Sequence, residues 1–264
     1  MASNIANDSP EGNPPHIFVM TNTSAMRYRN GIVCPSSGNG TTDSVVFSCD
    51  LNGTGTYNEA ADGEWIACGS LSWNDLSAYA DWAALRPMTE LEFEKACRGT
   101  DPSVNREYAW GSNDITGTIS LSAGTGGTTS ERSGQSGHGL CNYENNAIGG
   151  PLRCGFAAMP GATRDQAGSS YYGIMELSGN LWEKAVSLGA SAGRAYTGVH
   201  GNGSLDPIGS ANVPNWSSGP GTGSRGGATT YGASDLQVSD RLWSTEGATG
   251  RNNYQGGRFV RTAP

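Results

Sequence analysis

Two carboxylates bracket the most distinctive turn in the sequence. Glu176 and Glu183 lie on either side of a Ser-Gly-Asn corner at 178–180 that is followed by Leu181 and Trp182. A pair of acids can act in glycoside hydrolysis, but it needs further groups that place it around a substrate. Carboxylates beside backbone carbonyls are also what a hard cation such as Ca²⁺ requires, since it takes six to eight oxygen ligands.

The thiols and imidazoles do not form a recognisable catalytic or metal-binding pattern. The six cysteines lie at positions 34, 49, 68, 97, 141 and 154 without Cys-x-x-Cys spacing, and the three histidines lie at 16, 138 and 200. The pairs 34/49 and 141/154 each flank a loop and could form disulfides, or all six could be buried thiols. No nucleophile elbow, phosphate-binding loop or His-Glu-x-x-His motif is present, so the motifs do not indicate an enzyme.

The composition indicates which kinds of partner are not expected. The formal charge is −8, with a sequence pI near 4.8 and no basic cluster, so nucleic acid is not an expected partner. No apolar run approaches 18 residues, which argues against membrane insertion, and no secretory signal is visible. Glycine makes up 40 of 264 residues, which predicts a loop-rich protein. We expect a flexible lead-in at 1–15 and one domain over 16–264.

Two helices have clear start and stop signals. Ser72 with Asp75, and Thr89 with Glu92, have the spacing of helix-capping residues, and Gly99 is placed to end the second helix. Helical periodicity after Ser72 groups Leu76, Tyr79, Ala80, Ala83 and Ala84 on one face, before Pro87. Four residues of these helices are predicted to pack in the core: Trp73, Trp82, Phe93 and Cys97.

The strands are predicted from shorter signals. Residues 171–184 read as a strand, a turn with Asn180 in a left-handed conformation, and a second strand that buries Trp182. Further strands are predicted at 16–20, from Gly193 and from Arg225. Repeated Asn-Gly turns predict hairpins over 30–64.

The C-terminal segment, residues 225–264, combines a regular frame with irregular loops. Leu236, Val238, Phe259 and Val260 are spaced as buried strand positions. The intervening stretches mix aromatic and small polar residues, a composition typical of adaptable binding surfaces. The candidate ligand-binding residues are Thr229, Thr230, Tyr231, Asp235, Leu242, Trp243, Thr245, Asn252, Asn253 and Tyr254.

Three ordered blocks resemble one protein family. They are YGIMELSGNLWEK at 172–184, LSWNDLSAYADWAALRPMTELEFEKACRG at 71–99, and GGRFVRTAP at 256–264. Together they resemble the formylglycine-generating-enzyme (sulfatase-modifying-factor) family, a branch of the C-type-lectin-like fold. The resemblance implies an α+β fold with two helices, twisted antiparallel strands and long loops. It also implies a structural calcium site formed by Glu176, the carbonyls of Gly179 and Leu181, and Glu183.

The resemblance does not carry the family's chemistry with it. Formylglycine-generating enzymes use a cysteine pair in the segment after an Arg-Gly-Gly-Ser motif, but in this chain no cysteine follows Cys154. Related sulfoxide synthases need a histidine triad, which three scattered histidines do not provide. A metal-dependent oxidase with other ligands and a structural lectin-fold module remain the alternatives.

The tail also resembles the variable region of diversity-generating-retroelement proteins. Those are C-type-lectin-like binding proteins whose diversified positions cluster at the C-terminus, in a frame that ends much as GGRFVRTA does here. The resemblance implies a protein or cell-surface ligand and display on a virion or cell surface, within a larger assembly. Tyr231, Trp243 and Tyr254 would anchor the ligand, and Thr230, Thr245, Asn252 and Asn253 would supply adaptable polar contacts.

Overall fold

A computed structural model describes residues 18–20, 26–34, 46–144, 147–217, 219–247 and 250–263. The lead-in predicted at 1–15 lies outside these residues. The helices are α1 (Trp73–Trp82), α2 (Glu90–Arg98) and the one-turn α3 (Ser191–Arg194), with 3₁₀ turns at Gly219–Gly221 and Ala233–Leu236. The strands are β1 (Ile32–Val33), β2 (Ser48–Cys49), β3 (Arg86–Pro87), β4 (Thr116–Gly117), β5 (Leu140–Cys141), β6 (Trp182–Val186), β7 (Thr222–Arg225), β8 (Gln255–Gly257) and β9 (Phe259–Val260). The architecture is mixed α and β, as expected for a C-type-lectin-like fold.

Both predicted helices are confirmed, with their caps. Ser72 and Asp75 exchange hydrogen bonds at the start of α1, and Thr89 and Glu92 do the same at the start of α2. Each box satisfies two backbone donors that a helix start would otherwise leave unpaired. Gly99 ends α2 with a φ of 63°, a conformation that glycine adopts at little cost.

The core prediction for the helices is correct for three of four residues. Trp73, Phe93 and Cys97 are buried, but Trp82 is 63% exposed. Trp82 is the last residue of α1 and packs on the ring of Tyr79, which is itself more than half exposed, with centroids 6.0 Å apart. The neighbouring Asp81 is buried instead, because its carboxylate accepts backbone N–H bonds from the 200–212 loop.

A three-stranded sheet lies at the centre, in the order β7-β6-β8. Strand β6 is buried along its whole length; it pairs antiparallel with β7 and parallel with β8. The minor pairs are β1 with β2 and β3 with β9, both antiparallel, and β4 with β5, which is parallel. The expectation of antiparallel strands was therefore wrong for two ladders. Parallel neighbours need a long crossover, and the 187–254 segment, which includes β7, supplies one between β6 and β8.

Several strand predictions were wrong for identifiable reasons. Residues 171–175 form turns rather than a strand, with Gly173 at a φ of 77°. The segment from Gly193 belongs to α3. Strand β7 ends rather than begins at Arg225, because Gly226 and Gly227 follow with φ of 88° and 73° and break the extended conformation. At 16–20, the described part shows one bridge, from Phe18 to Val33.

The Ser-Gly-Asn corner is confirmed as a turn that joins distant segments. Asn180 has a φ of 68°, and its side chain bonds to both backbone groups of Leu152 and to the side chain of Asn142. The hydroxyl of Ser178 donates to the carbonyl of Leu236 and accepts from the N–H of Ala109. This turn therefore fixes the start of β6, whose first residue, Trp182, is 2% exposed as predicted.

Two further predictions concern disulfide bonds and membrane-spanning helices. Cys49, Cys68, Cys97, Cys141 and Cys154 are reduced in the structure, so neither candidate disulfide is formed. Among the described helices, none combines the length and apolarity that a bilayer crossing requires.

Candidate ligand-binding site

The two faces of the central sheet separate two groups of side chains. Directly paired residues share a face and successive residues alternate. Trp182 pairs with Gln255 and Lys184 with Ser224, which places these four on one face of the sheet. Glu183, paired with Arg225, lies on the opposite face.

Three predicted binding residues meet above the first of these faces. We call Tyr231, Trp243 and Tyr254 the aromatic cluster. The ring of Tyr231 lies 5.0 Å from that of Trp182, 6.1 Å from that of Trp243 and 5.2 Å from that of Tyr254, all nearly perpendicular. Edge-to-face pairs of this kind are favourable and rigid. All three residues of the cluster are half-buried and their rings are neighbours, so the cluster is partly accessible to solvent.

A tight turn positions Tyr231. Gly226 and Gly227 reverse the chain after β7, where a Cβ on Gly227 would lie 2.3 Å from Leu236. The chain then passes the central turn, where the N–H of Thr229 donates to the carbonyl of Asn180 over 3.1 Å. These constraints involve the backbone of the turn and the side chain of Leu236, so they do not depend on the ring of Tyr231.

Trp243 and Tyr254 are also held through their backbones. The carbonyl of Trp243 accepts from the N–H of Ser224 at 2.9 Å, and the carbonyl of Tyr254 accepts from the N–H of Trp182 at 2.9 Å. The indole of Trp243 in addition donates to Asp235 at 3.2 Å.

Ion pairs attach the same loops to the helices. Arg241 binds Glu90 and Glu94 of α2, and Arg251 binds Asp75 of α1. Arg225 is buried and also forms ion pairs with Glu90 and Glu94. These shared acids therefore link the loop that carries Trp243 to the core.

An ion pair lies beside the aromatic cluster. The ammonium of Lys184 is buried and lies 3.5 Å from the carboxylate of Glu246, which also accepts from Ser224 at 2.8 Å. Burial lowers the pKa of Lys184, and Glu246 partly offsets this. Burial also raises the pKa of Tyr231, with a further contribution from its hydrogen bond to Tyr254. Lys184 and Glu246 were not among the predicted binding residues; the signal for Lys184 is a lysine within an otherwise buried strand.

The remaining candidate residues are placed less uniformly. Thr229 is only 5% exposed, because it lies against the central turn, so its burial does not favour the predicted role as a contact residue. Asp235 is half-buried and accepts from Trp243. Three candidates outside the cluster are exposed: Thr230, Leu242 (73% exposed) and Thr245. Two others, Asn252 and Asn253, are half-exposed.

The four residues predicted to bind calcium are only partly brought together. Glu176, Leu181 and Glu183 line one cavity, whereas Gly179 packs against Asn142 and Leu236. Oε1 of Glu183 accepts from Arg258 at 2.7 Å, while Oε2 is buried without a hydrogen-bond partner among the described residues. That oxygen is a free side-chain acceptor in this set, and calcium there stays a prediction. Across the described ranges, no three His, Cys, Asp or Glu side chains gather as a metal site.

Comparison with known proteins places most of the chain in one family. Residues 68–263 match the sulfatase-modifying factor enzyme 1-like domain, which covers the central sheet, both longer helices and the aromatic cluster. A formylglycine-generating enzyme of Streptomyces coelicolor is 54% identical over 41 residues. That stretch is 16% of this chain and 12% of the relative's length, so the similarity to this enzyme is local.

Proposed function

The chain belongs to the sulfatase-modifying factor enzyme 1-like domain family, and from this premise we propose that it is a non-enzymatic ligand-binding member. The aromatic cluster and its flanking loops form the recognition surface for a protein or cell-surface target. The resemblance of the tail to diversity-generating-retroelement variable proteins supports a segment whose surface residues can be exchanged.

The observation that carries the proposal is how the aromatic cluster is assembled. Three rings from three loops meet on one partly exposed surface, and each loop is positioned by a backbone hydrogen bond to the frame. Rigid aromatic side chains at such a surface are common anchors of protein interfaces. Because backbone groups hold the loops, side chains there can change without loss of the frame.

The tail is also poor in the groups that oxidation would use. No cysteine follows Cys154, so the segment after the Arg-Gly-Gly motif at 225–227 lacks the thiol pair implied by the family resemblance. Tyr231 and Leu236 in that segment instead serve the cluster and the core.

A library experiment tests whether the surface is exchangeable. One library randomises Thr230, Tyr231, Leu242, Trp243 and Tyr254, and a matched library randomises five buried frame positions: Arg225, Gly226, Gly227, Leu236 and Val238. We expect most members of the first library and few of the second to display as protease-resistant protein. Selection of the first library on immobilised proteins should then yield specific binders. Equal loss of folded members in both libraries would contradict the proposal.

The similarity to a named formylglycine-generating enzyme supports a second candidate, a metal-dependent oxidase. The assay supplies Cu⁺, dioxygen and a cysteine peptide, and follows oxygen consumption and conversion of the cysteine by mass spectrometry. Folded protein that binds ligand and shows no turnover agrees with the proposal. Turnover that survives replacement of Trp243 and Tyr254 would favour the oxidase.

We further propose that the protein is displayed on a virion or cell surface, and that calcium, where it is bound, has a structural role.

A further inference from the structure

A cavity on the opposite face of the central sheet is separate from the aromatic cluster. Its volume is about 460 Å³, within the range of small-molecule sites. Its walls are mainly apolar and come from α1, β9 and the loops that precede α1 and β6; they include Ala67, Leu71, Leu76, Tyr79, Leu181 and Phe259.

The opening of the cavity is aromatic. Tyr79 lines the cavity and is more than half exposed, so it lies where the cavity meets solvent. Its ring is 5.5 Å from that of Phe259, at an interplanar angle of 39°. Rings at such an opening favour both hydrocarbon chains and cations.

Acidic groups line the same space, and they are unequally neutralised. Asp75 is bound by Arg251 and by the N-cap of α1, and Glu183 is bound by Arg258 at 2.7 Å. Glu176 accepts only the N–H of Gly155 and the thiol of Cys154, and no arginine or lysine in the described residues forms an ion pair with it. The described lining residues therefore include three carboxylates but one cation, Arg258, whose charge acts on both Glu183 and Glu176.

One acceptor in the cavity has no partner. Oε2 of Glu183 is buried without a hydrogen bond to any residue that the structure describes, and the whole side chain is 6% exposed. A buried carboxylate oxygen in this state costs free energy until a donor reaches it. A donor with positive charge would satisfy both the vacant oxygen and the excess of carboxylates among the lining residues.

The geometry distinguishes among cationic groups. A guanidinium binds best with two parallel bonds to one carboxylate, but Arg258 already uses Oε1 of Glu183. Calcium needs six to eight oxygens, and most of the cavity wall is hydrocarbon. An ammonium group carries its three N–H donors on one nitrogen, so it does not need a fixed pair of acceptor oxygens on one carboxylate.

We propose that this cavity binds a primary ammonium ion carried on an apolar chain. Its –NH₃⁺ group donates to Oε2 of Glu183, with the carboxylate of Glu176 balancing its charge. Its hydrocarbon part lies along Leu71 and Leu76 and leaves past the rings of Tyr79 and Phe259.

The experiment uses hexylamine as the probe, with 1-hexanol and hexanoate as neutral and anionic controls of the same chain length. Calorimetry and NMR shift titration on the whole chain should show saturable binding of hexylamine and much weaker binding of the other two. A parallel titration with Nα-acetyl-lysine-N-methylamide distinguishes a free amine from the lysine side chain of a polypeptide as the natural source. Saturable binding of either amine supports the proposal.

Variants locate the site. Glu183→Gln keeps the shape and removes the charge, and should weaken hexylamine binding about ten-fold or more. Tyr79→Ala removes a ring that is more than half exposed, and it should weaken hexylamine binding several-fold. This variant tests the site even if Glu183→Gln fails to fold. Glu64→Gln, at an exposed carboxylate outside the cavity, should bind as the wild type does. Equal binding of hexanol, unchanged binding by both site variants, or binding of Ca²⁺ but of neither amine would overturn the proposal.

Discussion

Replacing Asn180 is the sharpest test of how the central turn supports the aromatic cluster. In Asn180→Ala, the buried N–H of Leu152 loses its acceptor, and Asn142 loses one acceptor. The carbonyl of Leu152 loses the amide of Asn180 but keeps the N–H of Ala67. The stranded N–H costs about 1–3 kcal/mol. Alanine at a φ of 68° adds about 1 kcal/mol, because asparagine tolerates the left-handed region better than alanine does. The expected loss of unfolding free energy is about 3 kcal/mol, a large part of the roughly 5–15 kcal/mol of typical domains.

Two further variants separate the contributions. Asn180→Gly loses the same hydrogen bonds but accepts the φ, so it should be about 1 kcal/mol more stable than Asn180→Ala. Asn58→Ala provides a control, because Asn58 is exposed with a φ of 60° and should lose about 1–2 kcal/mol. Urea titrations monitored by tryptophan fluorescence measure all three. A loss below about 1 kcal/mol in Asn180→Ala would refute the assignment of this side chain as the clamp of the turn.

Three further predictions follow from the cluster and its frame. Gly227→Ala should lose several kcal/mol, about 3 or more, because its Cβ would lie 2.3 Å from Leu236; Gly198→Ala, with the same φ of 73° but open space, should lose about 1 kcal/mol in the same urea titration. The lowered pKa of Lys184 means that, between that pKa and its ordinary value of 10.5, the unfolded chain binds more protons and stability rises with pH. In Lys184→Met this contribution is absent, so the difference in unfolding free energy between variant and wild type should shift with pH across that window, and a pH-independent difference would contradict the burial argument. The double variant of Trp243→Ala and Tyr254→Ala should remain folded by circular dichroism yet lose affinity for a selected partner by well over ten-fold; unchanged affinity would remove the cluster from the binding surface.

Features that depend on a few neighbouring residues could be predicted from the sequence. Both capping boxes join residues three apart, so Ser72 with Asp75 and Thr89 with Glu92 identify helix starts without any tertiary information. The left-handed conformation of Asn180 follows in the same way from a residue type that tolerates it. The family and the fold class followed from the sequence blocks.

Features that depend on sequence-distant pairing could not be predicted in this way. Trp82 was predicted to pack in the core yet is exposed, because burial depends on which face of α1 meets the core. The parallel pairing of β8 with β6 requires the whole crossover from β6 to β8, and short strands carry no signal for their partners.

The sequence by itself determined the family, the starts of both longer helices, and a tail rich in aromatic and small polar residues. Only the tertiary structure decided that Tyr231, Trp243 and Tyr254 share one surface, that Lys184 is buried beside Glu246, and that Glu183 faces a separate cavity. The reason is physical. Local propensities depend on residues within one or two turns of each other, whereas the side of a sheet on which a side chain lies is set by pairing register between segments far apart in the chain.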